Sequence, residues 1–383
     1  MRILARRPRL ALFLAGSLLF AGASIAQPTA PLSTLEVAIP KPDIPPIKRV
    51  DLPATGLPQI DVALPKPPLA NLPPADFSVM TYNVKGLPWP IATGRAAALE
   101  RIADRLAWMR KGGVQPAVVV LQEAFRSEAK EIGDRAGYRF QIGGETLSRT
   151  TSPVSRRSPF RRRANAPQLD SGLVVLSDYP ILDVNRASFP ESACAGIDCY
   201  AAKGVVLVTL ALPGKGRIEV ATTHLNSKGA SWASEKETER AYREQVEFLV
   251  EFLADKRDHS VPLVLAGDFN LGDRAERLAI LPPALLGLNG GNAPAEPLRH
   301  FVEAADTHLA RSSDAQWVVE RARDMQYVLP GSGRTLAPVA ASIPFGSETR
   351  GKPLSDHFGY TIEYRLTQSD GSLIESRIAA REE

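Results

Sequence analysis

The sequence predicts a layered α/β fold, on three observations. Continuous apolar runs of strand length recur along the chain, amphipathic helical patterns lie between some of them, and polar residues gather directly after the apolar runs. The composition agrees. Of 383 residues, 44% are hydrophobic and 23% charged, enough apolar material for a packed core and unlike a disordered or collagen-like chain.

The elements follow in order. Arg2, Arg6, Arg7 and Arg9 precede an apolar run, Leu10 to Phe20, and then the small-residue stretch Ala21 to Ala26. That is the pattern of an export signal over residues 1–26, cleaved after Ala26 or, as the rival, after Ala23. The run is short for a bilayer span of about 20 residues, so an uncleaved anchor is the competing reading. The mature chain is expected to be exported, periplasmic or secreted, without a transmembrane helix. The signal also explains the charge. Lys+Arg is 46 against 42 for Asp+Glu, and removing the four signal arginines leaves 42 against 42. A globally cationic nucleic-acid binder therefore loses its first support.

Residues 27–75 hold 13 of the 32 prolines. Proline fixes φ and removes backbone donors, so this stretch reads as an extended linker; a ligand for some partner is the alternative. A catalytic domain is expected over 76–366 and a polar tail over 367–383. Within the domain, Phe77 to Val84, Ala117 to Leu121, Leu173 to Leu176, Val205 to Leu212, Ile218 to Thr223 and Val261 to Ala266 read as strands. Ala96 to Met109 reads as a helix from the spacing of Leu99, Ile102, Leu106 and Met109, and Tyr242 to Leu253 as another. Residues 149–163 carry six arginines and no acid. This loop is either a phosphate-binding, peripheral membrane contact or a solvated, protease-sensitive excursion.

Cys194 and Cys199 are the two cysteines. Too few for a multi-cysteine zinc or iron–sulfur cage, they are expected to close a small disulfide loop in an exported chain; two free buried thiols are the alternative.

The chemistry sits after the strands. Asn83, Gln122 and Glu123, His224 and Asn226, Asp268 and Asn270 each follow an apolar run, and Asp356 and His357 come late. Strand ends are where open α/β sheets place ligand sites. Each residue alone has an ordinary explanation as a turn or surface group; five clusters of one polar character do not. Carboxylate and amide oxygens without cysteine suit a hard cation, Mg²⁺ first with Mn²⁺ as the alternative. Two histidines can deprotonate a water or hold a phosphoryl oxygen. The set describes metal-assisted phosphoester hydrolysis.

Thr81-Tyr82-Asn83-Val84, Leu121-Gln122-Glu123, Ser171-Gly172-Leu173, Thr223-His224-Leu225, Gly267-Asp268-Phe269-Asn270 and Ser355-Asp356-His357 resemble, in order, the motifs of the endonuclease/exonuclease/phosphatase superfamily. The resemblance implies a four-layer α/β sandwich with two central, mostly antiparallel sheets flanked by helices, and in-line attack of water without a covalent intermediate. It implies Glu123 as metal ligand with Asn83 and Asp356 completing the metal environment. It implies Asp268 and Asn270 positioning water or phosphate, His224 on a phosphoryl oxygen and His357 as general base. The family has an Asp that orients the last His. Here Gln326 stands at the aligned position and Asp324 two residues earlier, on the same strand face; Asp324 is the preferred orienter.

Ala202-Lys203-Gly204-Val205, with Asp198 five residues before Lys203, resembles the neutral-sphingomyelinase-like branch, and so does Leu121 to Phe125. That implies phosphate contacts from Lys203, with Asn226 beside it, and a phospholipid substrate favoured over nucleic acid; the bland rival is that Lys203-Gly204 only begins a strand. A secreted nuclease is the runner-up and a non-catalytic binding module the remote alternative. A monomer is expected.

Overall fold

A computed structural model describes residues 75–146, 167–229, 232–304 and 307–368. The expected signal, most of the proline linker, the arginine loop 149–163 and all but two residues of the tail lie outside the described residues.

Eleven strands are described: β1 Phe77–Asn83, β2 Val118–Gln122, β3 Phe140–Gly143, β4 Val174–Ser177, β5 Ile181–Ser188, β6 Gly204–Leu212, β7 Gly216–His224, β8 Leu263–Asp268, β9 Asp324–Leu329, β10 Arg334–Phe345 and β11 Gly359–Gln368. Eight helices accompany them: α1 Arg95–Lys111, α2 Ser127–Lys130, α3 Ile132–Ala136, α4 Glu235–Lys256, α5 Ala275–Leu278, α6 Leu281–Leu288, α7 Pro297–Glu303 and α8 Ser313–Arg321.

The strands form two sheets. The first runs β10–β11–β1–β2–β4–β3 and the second β5–β6–β7–β8–β9. Each is antiparallel except for one parallel pair, β1/β2 in the first and β7/β8 in the second. Each parallel pair is joined through a long helix, α1 or α4, as a crossover requires.

Three apolar layers hold the sandwich together. Between the sheets, Val79, Val118 and Val120 of the first meet Val206, Val208, Val220 and Val264 of the second. Outside the first sheet, Leu99, Ile102 and Leu106 of α1 cover Met80, Tyr82, Val119 and Leu121. Outside the second, Tyr242, Val246 and Leu249 of α4 cover Leu207, Ala221 and Leu265. Central strands are thus buried on both faces, which explains their unbroken apolar texture. The result is the expected four-layer α/β sandwich.

Local chemistry sets the boundaries. Helix α4 starts at Glu235, earlier than its apolar periodicity indicates. A capping box does this: Ser234 Oγ accepts from Glu237 N, and Glu237 Oε2 accepts from Ser234 N. β10, absent from the sequence reading, contains Pro338 and Pro344. It is an edge strand with two register shifts, the setting in which a sheet tolerates proline.

Candidate active site

Both parallel pairs end at the same place. Asn83 closes β1, Glu123 follows β2, His224 closes β7 and Asp268 closes β8. Asn83 Nδ2 donates to Asp268 Oδ2 at 3.0 Å, from one sheet to the other, and to Glu123 Oε1 at 3.1 Å. Deeper between the sheets, Gln122 Nε2 donates to Thr222 Oγ1 at 3.1 Å. A Cβ on Gly267 would stand 2.2 Å from Thr223 O, so β8 lies this close to β7 only with glycine directly before Asp268.

The backbone around the site is strained. Lys85, Glu123 and Asn270 adopt left-handed φ of 50°, 55° and 46°. Each costs a non-glycine residue about 1–2 kcal/mol, a cost that clusters at functional sites. The Glu123 turn is braced by Ala124 N donating to Gly172 O at 2.8 Å, so the Ser171-Gly172-Leu173 motif supports the turn after β2.

His357 is buried at the far side of Asp268. Its Nδ1 lies 2.7 Å from Asp324 Oδ2 and its Nε2 3.8 Å from Asp268 Oδ2. Gln326 points elsewhere. Its Nε2 donates to Val79 O and its Oε1 accepts from Tyr364 O–H, tying the two sheets together. Burial alone lowers the His357 pKa, but Asp324, Asp268 and Glu123 outweigh it and hold the imidazole at about 9. Burial raises the Asp324 carboxyl, and His357 opposes that rise. Burial likewise pushes Asp268 up, but His357, His224, Asn83 and Lys203 together bring it below the usual carboxylate range.

The opposite flank is basic. Lys203 Nζ lies 3.2 Å from His224 Nε2 and 3.2 Å from Asp198 Oδ1, and donates to Leu225 O at 3.3 Å. His224 Nε2 is also 3.4 Å from Asp268 Oδ2. Burial first, and Lys203 second, depress His224 to about 4, so its imidazole is neutral at physiological pH. Asp198 sits inside the Cys194–Cys199 disulfide loop, and its Oδ2 accepts from Ser227 N at 2.6 Å.

Two expected residues are placed differently. Asp356, expected among the metal ligands, has an exposed carboxylate bonded to Lys85 Nζ at 2.6 Å. Burial pushes the Asp356 pKa up, but that ammonium, with His357, lowers it overall. Asn226, expected at phosphate, is fully buried with its amide spent on the chain: Oδ1 accepts from Ala195 N at 3.1 Å and Nδ2 donates to Ser227 O at 2.7 Å. Asn270 donates Nδ2 to Leu225 O and its own N–H to Asp268 Oδ1, linking the turns after β7 and β8.

The sequence reading missed Lys85 and two arginines. Arg95 donates to the carbonyls of Lys85, Val84 and Leu354, and Arg277 is described below. Contacts to distant carbonyls leave no local pattern; only their position close after or before a site turn is visible in sequence.

The donor set fits a hard divalent cation. Glu123 and Asp268 present oxygens, Asn83 adds an amide, and no thiol intervenes. Glu123 is half-buried, its pKa raised by burial, and it forms no ion pair among the described residues. Asp268, Asp324 and His357 also lie close enough to share an ion. Within that trio His357 Nδ1 is hydrogen-bonded to Asp324 Oδ2 at 2.7 Å.

A family model described as "Endonuclease/Exonuclease/phosphatase family" matches residues 80–357. The chain belongs to this family. The sphingomyelinase of Mycobacterium bovis is 24% identical over 285 residues, covering 74% of this chain and 51% of that protein. The chain thus spans about half the length of the curated relatives it matches. Beta toxin of Staphylococcus aureus, solved as a double mutant with bound magnesium ions, superposes with a TM-score of 0.51 at 16% identity, over 75% of this chain and 99% of that one. D. rerio TDP2 complexed with a single-strand DNA product gives 0.50 at 14% identity, over 76% and 98%. The two structures share the sandwich fold.

Proposed function

We propose that this family member is an exported, Mg²⁺-dependent phosphodiesterase that cleaves phospholipid in the manner of a sphingomyelinase or phospholipase C. One observation carries the reading: a buried His357–Asp324 pair and a buried Lys203–His224 pair flank the same carboxylate, Asp268. A base for water and a cradle for phosphate thus stand on opposite sides of one point.

His357 takes the proton of the attacking water at Nε2 while Asp324 holds Nδ1. Asp268 and Asn270 fix that water's position. Neutral His224 and the Lys203 ammonium receive the charge that develops on the phosphoryl oxygens. Glu123 and Asn83, with Asp268, would hold the cation. When bound, a divalent cation polarises a phosphoryl oxygen and offsets the carboxylate charge that keeps His357 protonated. Asn226 shapes the loop after β7, and Asp356 anchors Lys85.

The lipid substrate is favoured by the sphingomyelinase relatives and by two exposed tryptophans, Trp89 (76% exposed) and Trp232 (83%). They lie on the chain segments that follow β1 and β7, the strands carrying Asn83 and His224. An interfacial aromatic of this kind suits a membrane surface. The arginine loop adds anionic-lipid affinity. A disulfide fits export, and no helix of the described residues is long and apolar enough to cross a membrane.

The test is hydrolysis by the purified protein of sphingomyelin, phosphatidylcholine and plasmid DNA in parallel, with Mg²⁺, with EDTA, and with His357→Ala. Mg²⁺-dependent turnover of phospholipid, lost in the variant, is expected. Cleavage of DNA alone would move the protein to a nuclease role, and no turnover of any substrate would sink the reading.

A further inference from the structure

Arg277 is a buried arginine that neither the motifs nor the roles above employ. It is 1% exposed and is the largest fully buried side chain among the described residues. A buried guanidinium is costly unless its donors are matched. Here Nε donates to both oxygens of Glu239 on α4, at 3.1 and 3.2 Å, while Nη2, also buried, has no hydrogen-bond partner. The guanidinium also lies over the Tyr242 ring, 4.1 Å from its centroid. Its Nη1 is aimed at backbone: it donates to Asn226 O at 2.9 Å and to Asn270 O at 2.6 Å.

Those two carbonyls are not arbitrary. Asn226 lies two residues after His224, and Asn270 two residues after Asp268. The two turns meet in few other places: Leu225 N donates to Asp268 O at 2.9 Å, and Asn270 Nδ2 to Leu225 O at 3.0 Å. Asn270 adopts a left-handed φ of 46°, with its N–H held by Asp268 Oδ1 at 3.0 Å. One nitrogen bridging both carbonyls adds a second hold, and α4 supplies the anchor through Glu239 and Tyr242.

We propose that Arg277 is a positioning residue for the reaction: it clamps the turns after β7 and β8, setting His224 in register with Asp268 and Asn270. The inference rests on the function proposed above. It requires the planar fork, because a lysine ammonium replacing it cannot pair with both Glu239 oxygens and bridge two carbonyls in one geometry.

The experiment compares the full-length protein with Arg277→Lys, Arg277→Met and Glu239→Gln. Sphingomyelin in detergent micelles is the substrate, assayed well below each variant's own Tm. Misplacement of catalytic groups by about an ångström costs on the order of 10²-fold in rate. Arg277→Lys is therefore expected to lose about 10-fold in kcat and Arg277→Met about 100-fold, with KM within about twofold. Glu239→Gln, which leaves both carbonyl bonds, loses less than Arg277→Lys. Amide exchange at Leu225 and Asn270 should accelerate about tenfold in both arginine variants while the middle of β7 keeps its protection. If Arg277→Met does not fold, the lysine and Glu239 variants carry the comparison. Wild-type kcat with unchanged exchange at those amides in Arg277→Lys overturns the clamp. So does a loss of activity matched by a general loss of exchange protection. Should the wild type itself turn over no phosphoester, the functional reading fails, and the exchange measurement still decides whether Arg277 holds the two turns together.

Discussion

Replacing Asp324 by Asn removes the carboxylate 2.7 Å from His357 Nδ1 with almost no change in volume. The imidazole rises from 6.5 to about 9 in the folded protein, with Asp324 as the largest upward influence and Asp268 and Glu123 behind it. That rise corresponds to about 3 kcal/mol favouring the protonated form. The pair is buried, at 8% and 4% side-chain exposure, so solvent screening takes little of it; the burial that raises Asp324 trims the figure. The sign follows from linkage. A group whose folded pKa lies above its unfolded value adds stability below pH 6.5 and loses it as pH climbs through 9. Asp268 and Glu123 share that rise, so in EDTA-treated protein Asp324→Asn should cost about 1–2 kcal/mol at pH 6 and progressively less toward pH 10. The His357 ring, followed by NMR, should titrate near 9 in wild type and more than a unit lower in the variant. Turnover should fall by about 10²- to 10⁴-fold, the usual contribution of an oriented general base. A wild-type His357 that titrates near 6.5, or one unmoved by the substitution, would refute the reasoning from charge.

Glu123→Gln should weaken Mg²⁺ binding and activity in parallel, read by calorimetric titration beside the rate assay; activity lost at unchanged affinity would remove Glu123 from the cation. Gly267→Ala places a Cβ 2.2 Å from Thr223 O, forcing β7 and β8 apart. A loss of about 3 kcal/mol in urea unfolding is expected, at the overpacking end of core substitutions, and a loss below 1 kcal/mol would mean that the strands part freely. Opening the disulfide with Cys194→Ser and Cys199→Ser together should cost about 2 kcal/mol, since its loop is short. It should also lower kcat by loosening Asp198 and hence Lys203; retained kcat would separate the loop from the site. Trp89→Ala with Trp232→Ala should reduce binding to phosphatidylcholine vesicles and leave the rate on micellar substrate within about twofold, whereas unchanged vesicle binding would place the membrane face elsewhere.

Much of the fold was legible in the sequence because central strands of a sandwich are buried on both faces. Val118 to Leu121 is apolar throughout and Val205 to Leu212 is broken only by Thr209, and such runs are easy to read. Edge and late strands were not legible. β5 has no fully buried residue, and β10 carries two prolines and two register shifts. The start of α4 was hidden because a capping box acts through polar residues.

The site divides in the same way. Strand-end position and side-chain chemistry marked Asn83, Glu123, His224, Asp268 and His357 as candidates before any fold was known, since each follows a local element or a short motif. Distance across the chain decided the rest. Asp324 was preferred over Gln326 from strand spacing alone; the fold adds the contact, placing Asp324 on His357 Nδ1 and turning Gln326 toward Val79 and Tyr364. Moving Asp356 to Lys85, Asn226 to Ala195 and Arg277 to two carbonyls needed loops from separate parts of the chain to meet. Local pattern encodes which side chains a strand end presents. Only packing, in which side chains and carbonyls distant in sequence satisfy one another once water is excluded, decides which of them remain free to act on a substrate.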